Sequence, residues 1–109
     1  GEVAMNPALY DGVDQHMPIQ YGVAKAALHH LTRELASRLA PEIRVNCVAF
    51  GGFTGRAPDE FVQCYAGMLP MGRMLAPEEA GGPVAFLLDD DSSAMTGHVL
   101  HADGGWSIR

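Results

Sequence analysis

A tyrosine and a lysine stand four residues apart near the start of the clearest helical segment, as Tyr21 and Lys25. On a helix this spacing places both side chains on one face, one turn apart. A tyrosine phenol ordinarily ionises at about pH 10, and a neighbouring ammonium favours its ionised form. Such a phenol can give a proton to a carbonyl oxygen or take one from an alcohol, so the pair predicts acid–base chemistry on these groups.

The spacing alone has an ordinary explanation, because tyrosine and lysine at these positions usually form only a pair on a helix surface. The prediction therefore depends on the elements around the pair. A helix is predicted from about Tyr21 to Leu39, and Pro41 is expected to stop it. Apolar residues recur along it at three- and four-residue steps, namely Ala24, Leu28, Leu31, Leu35 and Leu39.

The remaining segments predict an α/β protein. Residues 1–20 are expected to be a loop with a short helical turn, because they combine proline, glycine and asparagine without a sustained period. The elements predicted after the first helix are a strand over Ile43–Phe50, helices over Pro58–Met68 and Pro77–Leu88, and a strand over Gly97–Ala102. This order is typical of a parallel sheet, with a crossover joining the two strands. A sheet of two strands leaves an exposed edge, so we expect marginal stability in isolation.

Composition excludes several classes of function. The formal net charge of -6 disfavours binding to nucleic acid or to an anionic membrane surface, because both need a basic face. No apolar run is long enough for a membrane span, and the opening residues do not resemble a signal peptide. The two cysteines, Cys47 and Cys64, have no ligand-like spacing, which favours reduced thiols in a cytoplasmic protein.

Several short motifs follow the Tyr21/Lys25 pair in a fixed order. They are Ile43-Arg44-Val45-Asn46, Gly51-Gly52, Pro70-Met71-Gly72-Arg73-Met74, Pro77-Glu78-Glu79, Thr96-Gly97 and Asp103-Gly104-Gly105. In order and spacing the series resembles the classical short-chain dehydrogenase/reductase family over about residues 18–107. The resemblance implies that residues 1–109 are the carboxy-terminal, catalytic half of one Rossmann-fold domain with a doubly wound parallel sheet. The amino-terminal, cofactor-binding half would then be absent.

The resemblance also implies a function and a set of site residues. The expected activity is hydride transfer between NAD or NADP and an alcohol or ketone, with a sugar-related substrate as a narrower option. Tyr21 would be the general acid/base, and Lys25 would bind the nicotinamide ribose. The remaining cofactor contacts would come from the segment after the strand, namely Phe50, Gly51, Gly52, Phe53 and Thr54. A metal ion is not expected.

The sequence departs from the family pattern at three points. Phe50 stands where the family usually has proline, and Gly55 stands where it often has threonine. The family's carbonyl-polarising serine would fall at Ala8, and residues 1–20 contain no serine or threonine. That serine either precedes Gly1 in a longer loop, which we expect, or is missing. The family's glycine-rich phosphate loop is also not found, so we expect this chain alone neither to bind cofactor tightly nor to turn over substrate.

Two other interpretations stay open at this stage. The chain could be a non-catalytic assembly module that keeps the family's fold, or an unrelated α/β binding domain. Beside the main stripe, the first helix has a second apolar face of small residues, formed by Val23, Ala26, Ala27 and Ala36. The resemblance places this helix at a subunit interface, so a homodimer or homotetramer is expected. The adjacent His29 and His30 are expected to be surface or interface residues, because metal pairs prefer a four-residue spacing.

Overall fold

The computed structural model describes residues 3–12 and 17–108. Its main elements in chain order are α1 (Ile19–Leu39), β1 (Cys47–Phe50), α2 (Asp59–Met68), α3 (Gly81–Leu88) and β2 (Val99–Ala102). Short 3₁₀ turns lie at Pro7–Tyr10, Pro77–Ala80, Asp90–Ser92 and Trp106–Ile108. The predicted order of helices and strands is confirmed. None of the helices in these described ranges is long and apolar enough to span a membrane.

Strands β1 and β2 pair in parallel, as the sequence predicts. The register runs from Cys47 opposite Val99 to Phe50 opposite Ala102, so both strands end at the same edge. The pairing continues one residue further, because the amide of Gly51 donates to the carbonyl of Ala102 at 3.1 Å. The segments after the two strands are therefore held side by side.

β1 begins at Cys47, and the prediction of a strand from Ile43 is wrong. Before Cys47, hydrogen bonds from side chains take the place of backbone pairing between the strands. The Arg44 guanidinium donates to the carbonyls of Ser92 and Leu87 at 2.9 and 3.0 Å. The Asn46 side chain donates to the carbonyl of Met95 at 2.9 Å. The β-branched pattern was typical of a strand, but these polar contacts to a distant segment determine the local path.

Helix α1 begins at Ile19 and ends at Leu39, where Ala40 turns to an extended conformation before Pro41. Its buried face differs from the predicted leucine stripe. The buried residues are His29, Thr32 and Ala36, whereas Leu28 and Leu31 are each 49% exposed. Small side chains allow the helix to approach the strands closely, and the Ala36 Cβ lies 3.4 Å from the position that a Cβ on Gly97 would occupy. Ala36 therefore packs within the chain.

The predicted helix over Pro77–Leu88 is divided into a 3₁₀ turn, Pro77–Ala80, and α3. Pro83 explains the division, because proline has no amide hydrogen to donate to the carbonyl one turn earlier. The predicted helix over Pro58–Met68 is confirmed from Asp59, with Pro58 as its N-cap.

The buried core cluster comprises Leu9, Tyr65, Leu69 and Met74. It joins the amino-terminal 3₁₀ turn to α2, and Trp106 from the turn after β2 packs against it. Burial of these apolar side chains away from water stabilises the arrangement. The core thus holds α2 against the carboxyl ends of the strands.

An ion pair between Arg73 and Glu79 closes the loop that precedes α3. Two parallel bonds of 2.7 and 2.8 Å join the guanidinium to the carboxylate. The Glu79 carboxylate also accepts the amide of Ala76 at 2.8 Å. The hydrogen bond from Arg73, followed by that from Ala76, lowers the pKa of Glu79 from its ordinary 4.5 to about 2.

The ion pair predicts an acid-dependent loss of stability. Because the pKa of Glu79 is lower in the folded state, its contribution is present above pH 4.5 and is lost as the pH falls towards about 2. We expect Glu79→Gln to flatten the fall in thermal midpoint between about pH 6 and about pH 2. Glu78→Gln, which removes the same charge one residue earlier, is the matched control. Equal pH profiles for the two variants would contradict the assignment.

Candidate active site

A cleft of about 830 Å³ lies where α1 meets β1 and the turns after the two strands. Six of the seven predicted site residues line it, namely Tyr21, Lys25, Phe50, Gly51, Gly52 and Phe53. Tyr21 and Lys25 come from the first turns of α1, and the other four come from the end of β1 and the segment after it. The fold therefore brings the start of α1 together with the end of β1, although most of α1 lies between them in the chain.

Tyr21 and Lys25 face each other on α1. The Lys25 Nζ lies 5.5 Å from the centroid of the Tyr21 ring, within the range in which a cation is attracted to an aromatic face. Tyr21 is 47% exposed and lines the cleft, so a ligand in the cleft can reach it. The one-turn spacing thus brings the ammonium group within cation–π range of the phenol ring.

The segment after β1, residues 51–54, follows a narrow path. A Cβ on Gly51 would lie 2.9 Å from the Cα and the carbonyl oxygen of Asp103, and a Cβ on Gly52 would lie 2.7 Å from the Met74 Cε. On the other side the segment pairs with Leu75, which donates to the carbonyl of Gly52 and accepts from the amide of Thr54, both at 2.9 Å. Gly51 must be glycine because backbone atoms of Asp103 occupy the space, whereas a Cβ on Gly52 would crowd the flexible end of Met74.

Thr54 is the one predicted site residue that the structure does not bring to the cleft. It is exposed, and its hydroxyl lies 3.4 Å from the carbonyl of Leu75. Its backbone amide donates to the same carbonyl at 2.9 Å. Ala8, the position at which the family's serine would fall, does not line the cleft either.

The sequence prediction missed a row of aromatic side chains on the wall of the cleft. Tyr65 and Trp106 stack with ring centroids 4.4 Å apart and planes 2° apart. Phe61 lies 6.0 Å from Tyr65 and 6.1 Å from Tyr10. The four-residue spacing of Phe61 and Tyr65 on α2 could have revealed that these two rings are neighbours. The other contacts join distant parts of the chain.

Asp103 shapes the turn that supports Gly51. Its carboxylate accepts the amides of Gly105 at 2.9 Å and Ser107 at 3.0 Å. Partial burial raises the pKa of Asp103, but the hydrogen bonds from Ser107 and Gly105 outweigh it and hold the pKa below the ordinary 3.8. The carboxylate therefore stays ionised at neutral pH and fixes the turn.

The two neighbouring histidines, His29 and His30, differ in their burial. His29 is buried on α1 and lines the cleft, so its predicted surface position is wrong, whereas His30 is exposed and lies 3.6 Å from Glu34. Cys47 and Cys64 are both free thiols. Over residues 3–12 and 17–108, no group of three or more His, Cys, Asp or Glu side chains is arranged to hold a metal ion.

Comparison with known proteins identifies the family. A family model described as enoyl-(acyl carrier protein) reductase matches residues 9–107. An uncharacterised oxidoreductase of Bacillus subtilis, YmfI, is 38% identical over 93 residues, which cover 81% of this chain. The chain belongs to the short-chain dehydrogenase/reductase family. This result confirms the resemblance and excludes an unrelated α/β domain.

Solved structures of short-chain dehydrogenase/reductase proteins have the same fold. The crystal structure of a short-chain dehydrogenase from Leptospira borgpetersenii with bound NAD+ has a TM-score of 0.81 and 36% identity, over 93% of this chain and 42% of that one. The active-site complex of Pseudomonas aeruginosa RhlG with NADP has a TM-score of 0.75 and 34% identity, over 87% and 41% of the two chains. The predicted Rossmann-like α/β fold with a parallel sheet is confirmed.

This short-chain dehydrogenase/reductase chain spans only part of its relatives' length. It covers 38% of the Bacillus subtilis protein and about the same share of the two solved structures, 42% and 41%. The matched part includes the Tyr21/Lys25 pair and the segment after β1, because the family model extends over residues 9–107.

The close approach of Gly51 to Asp103 predicts a position that tolerates no side chain. We expect Gly51→Ala to destabilise the protein by roughly 1–3 kcal/mol, because the added methyl group meets backbone atoms that cannot rotate away. Gly67→Ala on α2 is the matched control, because a Cβ there has no atom within 4 Å. That variant should be stabilised by roughly 0.5–1 kcal/mol through its higher helix propensity. Urea unfolding measures both, and equal effects would refute the packing argument.

Proposed function

We propose that this chain is the carboxy-terminal, catalytic half of an NAD(P)-dependent oxidoreductase. The reaction is hydride transfer between a nicotinamide cofactor and an alcohol or ketone. The observation that carries the proposal is the shared cleft, in which Tyr21 and Lys25 face the Phe50–Phe53 segment. The proposal would lose this support if the pair and the segment lay apart, because the acid–base group and the cofactor must meet at one substrate.

The residues of the cleft fit a nicotinamide cofactor. Gly51 and Gly52 both line the cleft, and their backbone forms part of a wall that a flat ring can lie against. Lys25 offers an ammonium group for a ribose hydroxyl on the opposite wall. The cofactor, when bound, supplies or accepts the hydride. Two structural relatives that hold NAD+ and NADP support this class of cofactor.

Tyr21 has the role of proton donor and acceptor in this proposal. In the reductive direction its hydroxyl gives a proton to the carbonyl oxygen of the substrate, and in the oxidative direction its phenolate takes the proton from the alcohol. The Lys25 ammonium, 5.5 Å from the ring centroid, stabilises the negative charge on the phenolate. Phe61 and Trp106 add apolar surface to the same cleft.

The substrate in this proposal is a small alcohol or carbonyl compound. The aromatic faces of Tyr10, Phe61 and Trp106 provide apolar surface, and Asn6 adds an amide to the same cleft. An amide among aromatic faces can recognise a hydroxyl group beside a carbon skeleton, which supports a sugar-related compound as the narrower option. The proposed location of the protein is the cytoplasm.

The chain acts together with an amino-terminal half in this proposal. The relatives are more than twice as long as the matched region, and the glycine-rich phosphate loop that the family uses lies in no segment of this sequence. We also propose a homodimer or homotetramer. Large apolar side chains on the outer face of α1 support this state, since Val23 is 64% exposed and Leu31 is 49% exposed.

The second candidate function is a non-catalytic assembly module. The same exposed apolar face of α1 favours it, because an interface needs no chemistry from the cleft. The two functions differ in what they require of Tyr21. An assembly module keeps its oligomeric state and has no activity that substitution of Tyr21 could remove.

Substitution of the pair tests the catalytic function in the complete gene product that contains this chain. We expect Tyr21→Phe to lower kcat by roughly 10²–10⁴-fold, because the proton donor is lost. Lys25→Met should raise the KM for the nicotinamide cofactor as well as lower kcat. Arg33→Met, which removes the same charge two turns further along α1, is the control. Unchanged turnover of alcohols and ketones in Tyr21→Phe would refute the assigned role.

Titration of the 109-residue chain tests its dependence on an amino-terminal half. We expect no saturable binding of NADH or NADPH in the micromolar range, because this sequence contains no glycine-rich loop to hold the pyrophosphate. The complete gene product should bind one of the two cofactors under the same conditions. Micromolar binding by the short chain would contradict the proposed division of the site between the two halves.

A further inference from the structure

The amide of Gly52 has an unusual acceptor among the backbone groups after β1. The neighbouring groups bond to other backbone atoms: the Gly51 amide donates to Ala102, and the Gly52 carbonyl accepts from Leu75. The Gly52 amide instead donates to the hydroxyl oxygen of Tyr65 at 2.8 Å. One side chain on α2 thus determines the orientation of the Gly52 peptide on the side facing the cleft.

Tyr65 is itself held in place. Only 8% of it is exposed, and its ring lies almost parallel to that of Trp106 at a centroid distance of 4.4 Å. Phe61 covers the ring from the preceding turn of α2 at 6.0 Å. A buried ring packed against two other rings has little freedom of rotation, so its hydroxyl has a defined position.

The ring also lies close to the Gly52 backbone. A Cβ on Gly52 would lie 3.1 Å from the Tyr65 Cζ, the carbon that carries the hydroxyl. A shift of the peptide away from α2 would lengthen the hydrogen bond to Tyr65. Tyr65 and Gly52 both line the cleft that contains Tyr21 and Lys25, so this restraint acts at the wall of the candidate active site.

We propose that Tyr65 is a positioning residue for the nicotinamide ring, acting through the amide of Gly52. This inference rests on the proposed function, because it assumes that the Phe50–Phe53 segment contacts the cofactor. The hydroxyl holds the peptide between Gly51 and Gly52, and Leu75 holds the peptide between Gly52 and Phe53. Together they determine where the Phe53 backbone faces the cleft. The same bond joins α2, which lines the substrate side of the cleft, to the cofactor side.

The test compares Tyr65→Phe with Val62→Ala in the complete gene product. Tyr65→Phe removes the acceptor and keeps the stacked ring, whereas Val62→Ala weakens packing of α2 against the same core without touching Gly52. Two measurements are made on each variant. The first is amide hydrogen exchange of Gly52 in protein with isotope-labelled glycine, and the second is steady-state kinetics with the nicotinamide cofactor varied.

A positioning role predicts a specific combination of results. In Tyr65→Phe the Gly52 amide exchanges faster, and the KM for cofactor rises at least about fivefold, because an unpartnered amide lets the peptide reorient. The KM for the alcohol or ketone changes less than the KM for cofactor. Val62→Ala lowers thermal stability but leaves Gly52 exchange and the cofactor KM as in the wild type.

Three results would overturn the inference. Unchanged exchange of Gly52 in Tyr65→Phe would show that the hydroxyl does not hold the peptide. Faster exchange with an unchanged cofactor KM would show that the bond has no effect on cofactor binding. Wild-type protein that binds neither NADH nor NADPH would refute the proposed function and, with it, the positioning role. The exchange measurement separates this last case from the first, because it needs no activity.

Discussion

The parallel pairing of β1 with β2 is the constraint on which the candidate site depends. With Phe50 opposite Ala102, both strands end at one edge, and the Gly51 amide extends the pairing by one bond of 3.1 Å. The turn at Asp103 therefore comes close beside the segment after β1, close enough to exclude any Cβ on Gly51. Ligands of open α/β sheets bind beyond the carboxyl ends of parallel strands, and the cleft is at this place.

Residues outside the proposed chemistry hold the cleft in shape. The Leu75 backbone pairs with the segment after β1, and the Tyr65 hydroxyl takes the remaining amide of Gly52. The Arg73–Glu79 ion pair closes the loop in which Leu75 lies. Each contact restrains backbone rather than a reacting side chain. Catalysis by positioned groups requires this kind of support, because a displacement of about 1 Å is costly for a reaction that depends on orientation.

Helix α1 joins the site to the outer surface of the protein. Its first turns present Tyr21 and Lys25 to the cleft, while Thr32 and Ala36 anchor the later turns against the chain. The leucines of the predicted stripe are partly exposed instead of buried, with Leu31 49% exposed on the surface and Leu28 49% exposed at the cleft. A helix with one face on the site and an apolar face outside it is suited to link assembly with catalysis. This arrangement agrees with the proposed homo-oligomer.

Local sequence patterns predicted the order of the elements and the proximity of Tyr21 and Lys25. The one-turn spacing of Tyr21 and Lys25, the helix stop at Pro41 and the order of motifs depend on nearby residues, so they could be predicted. Tertiary structure decided what long-range contacts control. Arg44 bonds to segments more than forty residues away, and β1 begins only after it, at Cys47. Thr54 pairs with Leu75 and does not line the cleft. Tyr65 acquires its contact with Gly52 only when α2 packs against the strand ends, because the two residues share no local pattern.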